Sequence, residues 1–194
     1  MQTLQHILPE ILSSNREISS FMIRRYRSSG PKGVLKLFDD SVDNFEYHII
    51  TKDFDFSLIH KYLYSDGWDV GLSSRVITPE GIYYIPIMDF QICISEENKT
   101  LLTTRLKEVF LLEEYSGGWL LQTNNSYHFI GRKIVTFDKW LCFIGRMLQL
   151  RMKNETAAIA DDKYIGYSLL RKDTPCRFSP KSDQIPFLVD EIIA

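Results

Sequence analysis

The chain has 194 residues, 44% of them hydrophobic and 25% charged, with a formal charge of −2 from 23 Lys+Arg against 25 Asp+Glu. This balance is ordinary for a globular domain and excludes a disordered chain, a collagen-like repeat and a uniformly basic nucleic-acid wrapper. One domain over 1–194 is the expected use of this length, with an N-terminal α/β part over 1–70 and a second part over 71–194.

Cys93, Cys142 and Cys176 are odd in number, widely spaced and free of CxxC spacing, so they read as reduced thiols rather than a disulfide or zinc framework. The N-terminal stretch MQTLQHILPEILSSNREISSF is too polar for a secretory leader, and no apolar run approaches the ~20 residues of a membrane span. A cytoplasmic protein that does not meet a membrane is expected.

In chain order, Ser14-Asn15-Arg16-Glu17 has the spacing of a capping box, followed by Ile18, Phe21, Met22 and Ile23 as an apolar stripe. A helix over 14–28 is therefore predicted, ended by Ser28-Ser29-Gly30-Pro31. GVLKLF and EYHIIT read as strands on either side of an acidic turn over 39–44, and Asp55 as the N-cap of a helix carrying Leu58, Ile59, Tyr62 and Leu63. The stretch from Val70 to Ser95 reads as a hairpin turning at Pro79-Glu80-Gly81, and Pro86 within its second arm demands a bulge or an edge position. A helix starting near Glu96 follows from the spacing of Leu101, Leu102, Leu106, Val109 and Phe110. Next come two short strands around the turn Thr123-Asn124-Asn125-Ser126, then a helix over 138–152 with Trp140, Leu141, Ile144, Leu148 and Met152 inward. From Asp161 onward the pattern alternates in a strand-like way between prolines. Strands and helices interleave with hairpins, which defines an α+β class with a mainly antiparallel sheet.

Three features carry candidate chemistry. Along the arm from Gly81 to Ser95, Tyr84, Pro86, Met88, Phe90, Ile92 and Ile94 share one face, while Tyr83, Ile85, Ile87, Asp89, Gln91 and Cys93 share the other. A carboxylate at Asp89 in so apolar a strand costs desolvation energy unless a cation, a metal or hydrogen bonds compensate; an Asp at a strand end meeting solvent or an arginine is the plainer account. Ser126 and His128 are two apart on a strand and so share a face, where hydroxyl and imidazole can converge on one phosphate oxygen; a histidine satisfied by a carbonyl is the plainer account. Asp161 and Asp162 point to opposite faces if extended, or else cap the next element. Residues 131–181 hold 11 Lys+Arg against 5 Asp+Glu, so a +6 segment hides in a chain whose remainder is −8. Such a segment suits a surface that meets phosphates, though most charge runs are solvated faces.

Taken in order, Asp89-Phe90-Gln91, Ser126-Tyr127-His128 and Asp161 with the following YIGYSL and CRFS segments resemble the catalytic core of the archaeo-eukaryotic primase (primase-polymerase) superfamily over roughly 80–190. The resemblance implies a two-layer α+β fold, an antiparallel RRM-like sheet packed by the helices near 97–112 and 138–152, with the N-terminal α/β unit against it. It implies catalytic roles for Asp89, His128 and Asp161, and metal-binding positions at Asp89, Gln91, Asp161 and Asp162 that hold Mg²⁺ or Mn²⁺ in active members. It also implies phosphate contacts from Ser126, His128, Lys163, Arg171, Arg177 and Lys181. The ligands expected are a nucleoside triphosphate, a single-stranded or template nucleic acid, or both, with a helicase or other replication-type protein as partner.

The family pattern has a second acid where this chain has Gln91, a neutral and weaker metal ligand. Two metals ~3.5–4 Å apart need several anionic oxygens around them. The favoured reading is therefore a primase-polymerase-like domain that binds nucleotide or nucleic acid without polymerising. An active metal-dependent nucleotidyltransferase, in DNA replication for example, and a non-catalytic protein-interaction module stay open beside it.

Overall fold

Leu4, Ile7, Leu8 and Ile11 recur at three- and four-residue steps, the spacing that lays one apolar stripe along a helix. In the computed structural model they are the buried face of helix α1, Leu4–Ser14, which starts at a capping box between Thr3 and His6. The structure describes residues 2–26, 44–54, 69–113, 115–152, 158–178 and 185–193. The strand read in GVLKLF, the turn before Asn44, the helix capped by Asp55 and the candidate Lys181 lie outside them.

The helix predicted over 14–28 does not form. Asn15 instead closes α1, and residues Ser20–Tyr26 are strand β1, paired with β2, Asn44–Ile50, on one side and β3, Asp69–Thr78, on the other. Phe21 and Ile23 join one apolar cluster, while Met22 and Arg24, on the opposite face, are buried as well. A central strand covered on both faces loses the polar alternation that marks a strand, and its apolar run then mimics a helical stripe.

The predicted hairpin is present: β3 turns through Pro79 and Glu80 into β4, Gly81–Tyr84. Pro86 ends that pairing, and after it the chain enters a different sheet as β5, Ile87–Asp89. Gly131 donates its N–H to the Pro86 carbonyl at 2.7 Å, and a Cβ on Gly131 would sit 2.8 Å from the proline ring, so only glycine fits beside this crossing. Helix α2, Glu96–Glu113, then leads to β6, Gly118–Gln122, β7, Tyr127–Gly131, and helix α3, Phe137–Gln149. Trp140, Phe143, Ile144 and Met147 form the buried stripe of α3; Leu141 and Leu148, expected inward, are 37% exposed. The larger aromatic row sets the rotation of the helix, and Leu141 and Leu148 fall on its flank.

The strand-like reading after Asp161 is also corrected. Residues Asp162–Arg171 form helix α4, with Asp161 as its N-cap and Ile165 and Ser168 as its buried residues. Two short segments follow as strands: β8, Cys176–Arg177, on β3, and β9, Phe187–Ile192, on β6.

The molecule is thus an α+β fold with two antiparallel sheets, ordered β2-β1-β3-β4 with β8 also on β3, and β5-β7-β6-β9. The second sheet and its helices are the two-layer unit: Met88, Phe90, Leu120 and Phe129 pack on Leu106, Phe110, Trp140, Phe143 and Met147. Its other face, through Ile87, Trp119, Leu121 and Ile130, packs on α1 and on Phe21, Leu72 and Val76 of the first sheet. The alternation from Tyr84 to Phe90 therefore holds across the Pro86 break, and it aims Asp89 toward the junction between the sheets.

Candidate functional site

Asp89 ends β5 directly opposite His128 on the neighbouring strand β7. Residues directly opposite on antiparallel strands hold their side chains side by side, and here His128 Nε2 lies 3.0 Å from Asp89 Oδ1. The Asp89 side chain is 32% exposed and that of His128 10%, so the carboxylate reaches solvent and the ring sits behind it. On the other side of the ring, Nδ1 lies 3.4 Å from the Cys176 thiol sulfur of β8. Burial works against a proton on His128, but the Asp89 carboxylate and Cys176 outweigh it and the ring pKa is pushed up to about 10. The imidazole is therefore a cation at neutral pH, with a partner on each nitrogen.

Asp161 is brought to the same place by the backbone. Its N–H donates to the Asp89 carbonyl at 3.1 Å, and the bridge between Phe90 and Ala160 continues the contact. Its Oδ1 accepts the Tyr164 N–H at 3.0 Å, the N-cap bond of α4, so one of its oxygens serves the helix. Ser126 does not converge with His128 on open space. Its hydroxyl donates to the Phe90 carbonyl and ties the β6–β7 turn to the end of β5.

Gln91 donates its side-chain amide to the Ala160 carbonyl at 3.1 Å, and its backbone N–H meets the Ile159 carbonyl at 2.9 Å. Asp162 and Lys163 are exposed in the first turn of α4, next to Asp161. Arg177 follows Cys176 on β8 and is half-buried. Arg171 is not brought to the site: it ends the 10-residue helix α4, about 15 Å along the axis from Asp161 at 1.5 Å per residue, with its guanidinium 5.5 Å from the Tyr167 ring centroid.

Sequence reasoning misses the two residues that hold this site from behind. Cys176 reads as an ordinary thiol in the amino-acid order, and its contact with His128 spans 48 residues of chain. Asp173 is fully buried: Ser73 Oγ, Ser74 N and Ser74 Oγ each reach its Oδ1 at 2.8 Å, and Arg24 Nε stands 2.9 Å from its Oδ2. No local pattern announces either contact; the one signal in the sequence is an Asp next to Thr174-Pro175 in a basic stretch.

Three of the four candidate metal ligands already have partners within the protein. One oxygen of Asp89 faces a cationic ring, one oxygen of Asp161 caps a helix, and Gln91 presents an N–H donor engaged with a carbonyl. Among the described residues no group of three or more His, Cys, Asp or Glu side chains is arranged to hold a metal ion.

A carboxylate at a strand end, a histidine on the paired strand and a third aspartate stapled to the first, all on a helix-backed antiparallel sheet, define a primase-polymerase type of core. The family model described as "AEP-like: Archaeo-eukaryotic primase 1D-like" matches residues 52–189, and the chain belongs to this family. No curated protein matches the chain. Among the described residues no helix is long and apolar enough to cross a membrane.

Proposed function

We propose that this primase-polymerase-type domain binds the phosphates of a nucleoside triphosphate or of single-stranded nucleic acid at the Asp89–His128–Asp161 junction without transferring nucleotides. The observation that carries the reading is the engagement of Gln91 with the Ala160 carbonyl, at the position where the family pattern has an acid. With an amide there and a cationic ring on Asp89, the net negative charge available for divalent ions is small, while cations for phosphate remain. His128 meets a phosphate by giving up its Nε2 contact with Asp89, and Lys163 on α4 and Arg177 on β8 are the further cations assigned to the ligand.

Equilibrium binding of ATP and of a labelled single-stranded oligonucleotide, followed over a salt series, tests this. Binding is expected to weaken as salt rises, and Lys163→Ala together with Arg177→Ala is expected to lower the salt slope by about 0.7 for each phosphate no longer neutralised. Absent binding, or binding indifferent to salt and to both substitutions, overturns the reading.

A further inference from the structure

We propose that Cys176 is a positioning residue for His128: its sulfur accepts the ring Nδ1–H and so turns Nε2 toward Asp89 and the phosphate site. This rests on the binding function proposed above. The imidazole lies between a carboxylate on one sheet and a thiol on the other, at 3.0 Å and 3.4 Å. Cys176 Sγ also stands 3.8 Å from the Arg177 carbonyl, so the S–H hydrogen has a place to go while the sulfur lone pairs face the ring. The sulfur in that place gives the ring Nδ1 a partner from within the molecule and leaves Nε2 to the open side.

The thiol does not drift to this position; the strand that carries it is pinned from both sides. Asp173 anchors the segment to Ser73, Ser74 and Arg24, and Thr174 N–H meets Ser74 Oγ at 2.9 Å. From the helical layer, Trp140 Nε1 reaches Thr174 Oγ1 at 3.3 Å and the Tyr164 hydroxyl donates to the Pro175 carbonyl at 2.8 Å. Phe178 N–H then closes on the Val70 carbonyl at 2.8 Å, leaving Cys176 1% exposed. A small apolar residue would fill this packing position equally well, so what distinguishes the cysteine is where its sulfur points.

The test compares Cys176→Ala, which keeps the size class and deletes the acceptor, with Cys176→Ser, which keeps one. The readouts are ATP affinity and the ¹⁵N-edited NMR signal of the His128 Nδ1–H proton. In the wild type and in Cys176→Ser that proton is expected to be slow to exchange with water, and ATP affinity to agree within about threefold. In Cys176→Ala the slow proton is expected to vanish and ATP binding to weaken about tenfold, the scale of one charge-assisted hydrogen bond. A Cys176→Ala protein that keeps the slow proton, or that loses it and still binds ATP as the wild type does, overturns the proposal. A wild type that does not bind ATP, with the proton still gone in Cys176→Ala, upholds the ring contact and removes the binding function instead.

Discussion

Asp173 and Asp89 each lie within 3.0 Å of a cationic nitrogen, and the difference between them separates scaffold from site. Asp173 is fully buried, and three donors converge on one of its oxygens while Arg24 faces the other, so its charge is compensated inside the molecule. Asp89 ends a strand at the junction of two sheets, 32% exposed, with one oxygen facing His128. A buried carboxylate persists only when its partners repay the loss of water, whereas a carboxylate at an open strand end keeps capacity for a ligand.

The largest expected effect tests the scaffold side of this contrast. Asp173→Ala leaves the Arg24 guanidinium, 9% exposed, without its counter-charge and should destabilise the fold by about 3–5 kcal/mol in urea unfolding. Asp89→Ala should cost less than Asp173→Ala, because its carboxylate is part-solvated and the ring can release its proton. Equal losses for the two would collapse the distinction.

Asp161 stands between these cases, since it both caps α4 and adjoins Asp89. Asp161→Ala is expected to cost about 1 kcal/mol, while Asp161→Asn keeps the cap and costs a few tenths. If Asp161→Asn unfolds the chain as readily as Asp161→Ala, the negative charge and not the cap is what holds the start of the helix.

A pH dependence follows from the same His128–Asp89 contact. The His128 ring has a folded-state pKa raised from 6.5 to about 10, so its contribution to stability is fully present below pH 6.5. Between those values the unfolded chain has lost the proton and the folded chain keeps it, so stability falls as pH rises and the contribution is gone above about pH 10. Urea midpoints across this window should decline in the wild type and decline less in Asp89→Asn. A wild-type profile as flat as that of the variant would show that the ring carries no stabilising charge.

Much of the second half of the fold is legible in the amino-acid order because its signals are local. The turn at Pro79-Glu80, the break at Pro86, the α2 stripe and the two strands around 123–126 each follow from neighbours a few residues apart. The juxtaposition of Asp89, His128 and Asp161 is legible only through the order of three short motifs. The first 26 residues mislead because Ser14-Asn15-Arg16-Glu17 offers a capping box that the chain does not use, while β1 takes its conformation from β2 and β3. Asp173 and Cys176 are silent for the same reason: their partners lie 48 to 149 positions away, and nothing in a short window of sequence encodes them.

The most direct test of a phosphate-binding site that does not polymerise is primer extension with labelled nucleotides in Mg²⁺ and in Mn²⁺, wild type against Asp89→Ala. No extended product from either protein in either metal is the expected result. A metal-dependent product from the wild type that disappears in Asp89→Ala would instead show an active nucleotidyltransferase and contradict a binding-only site.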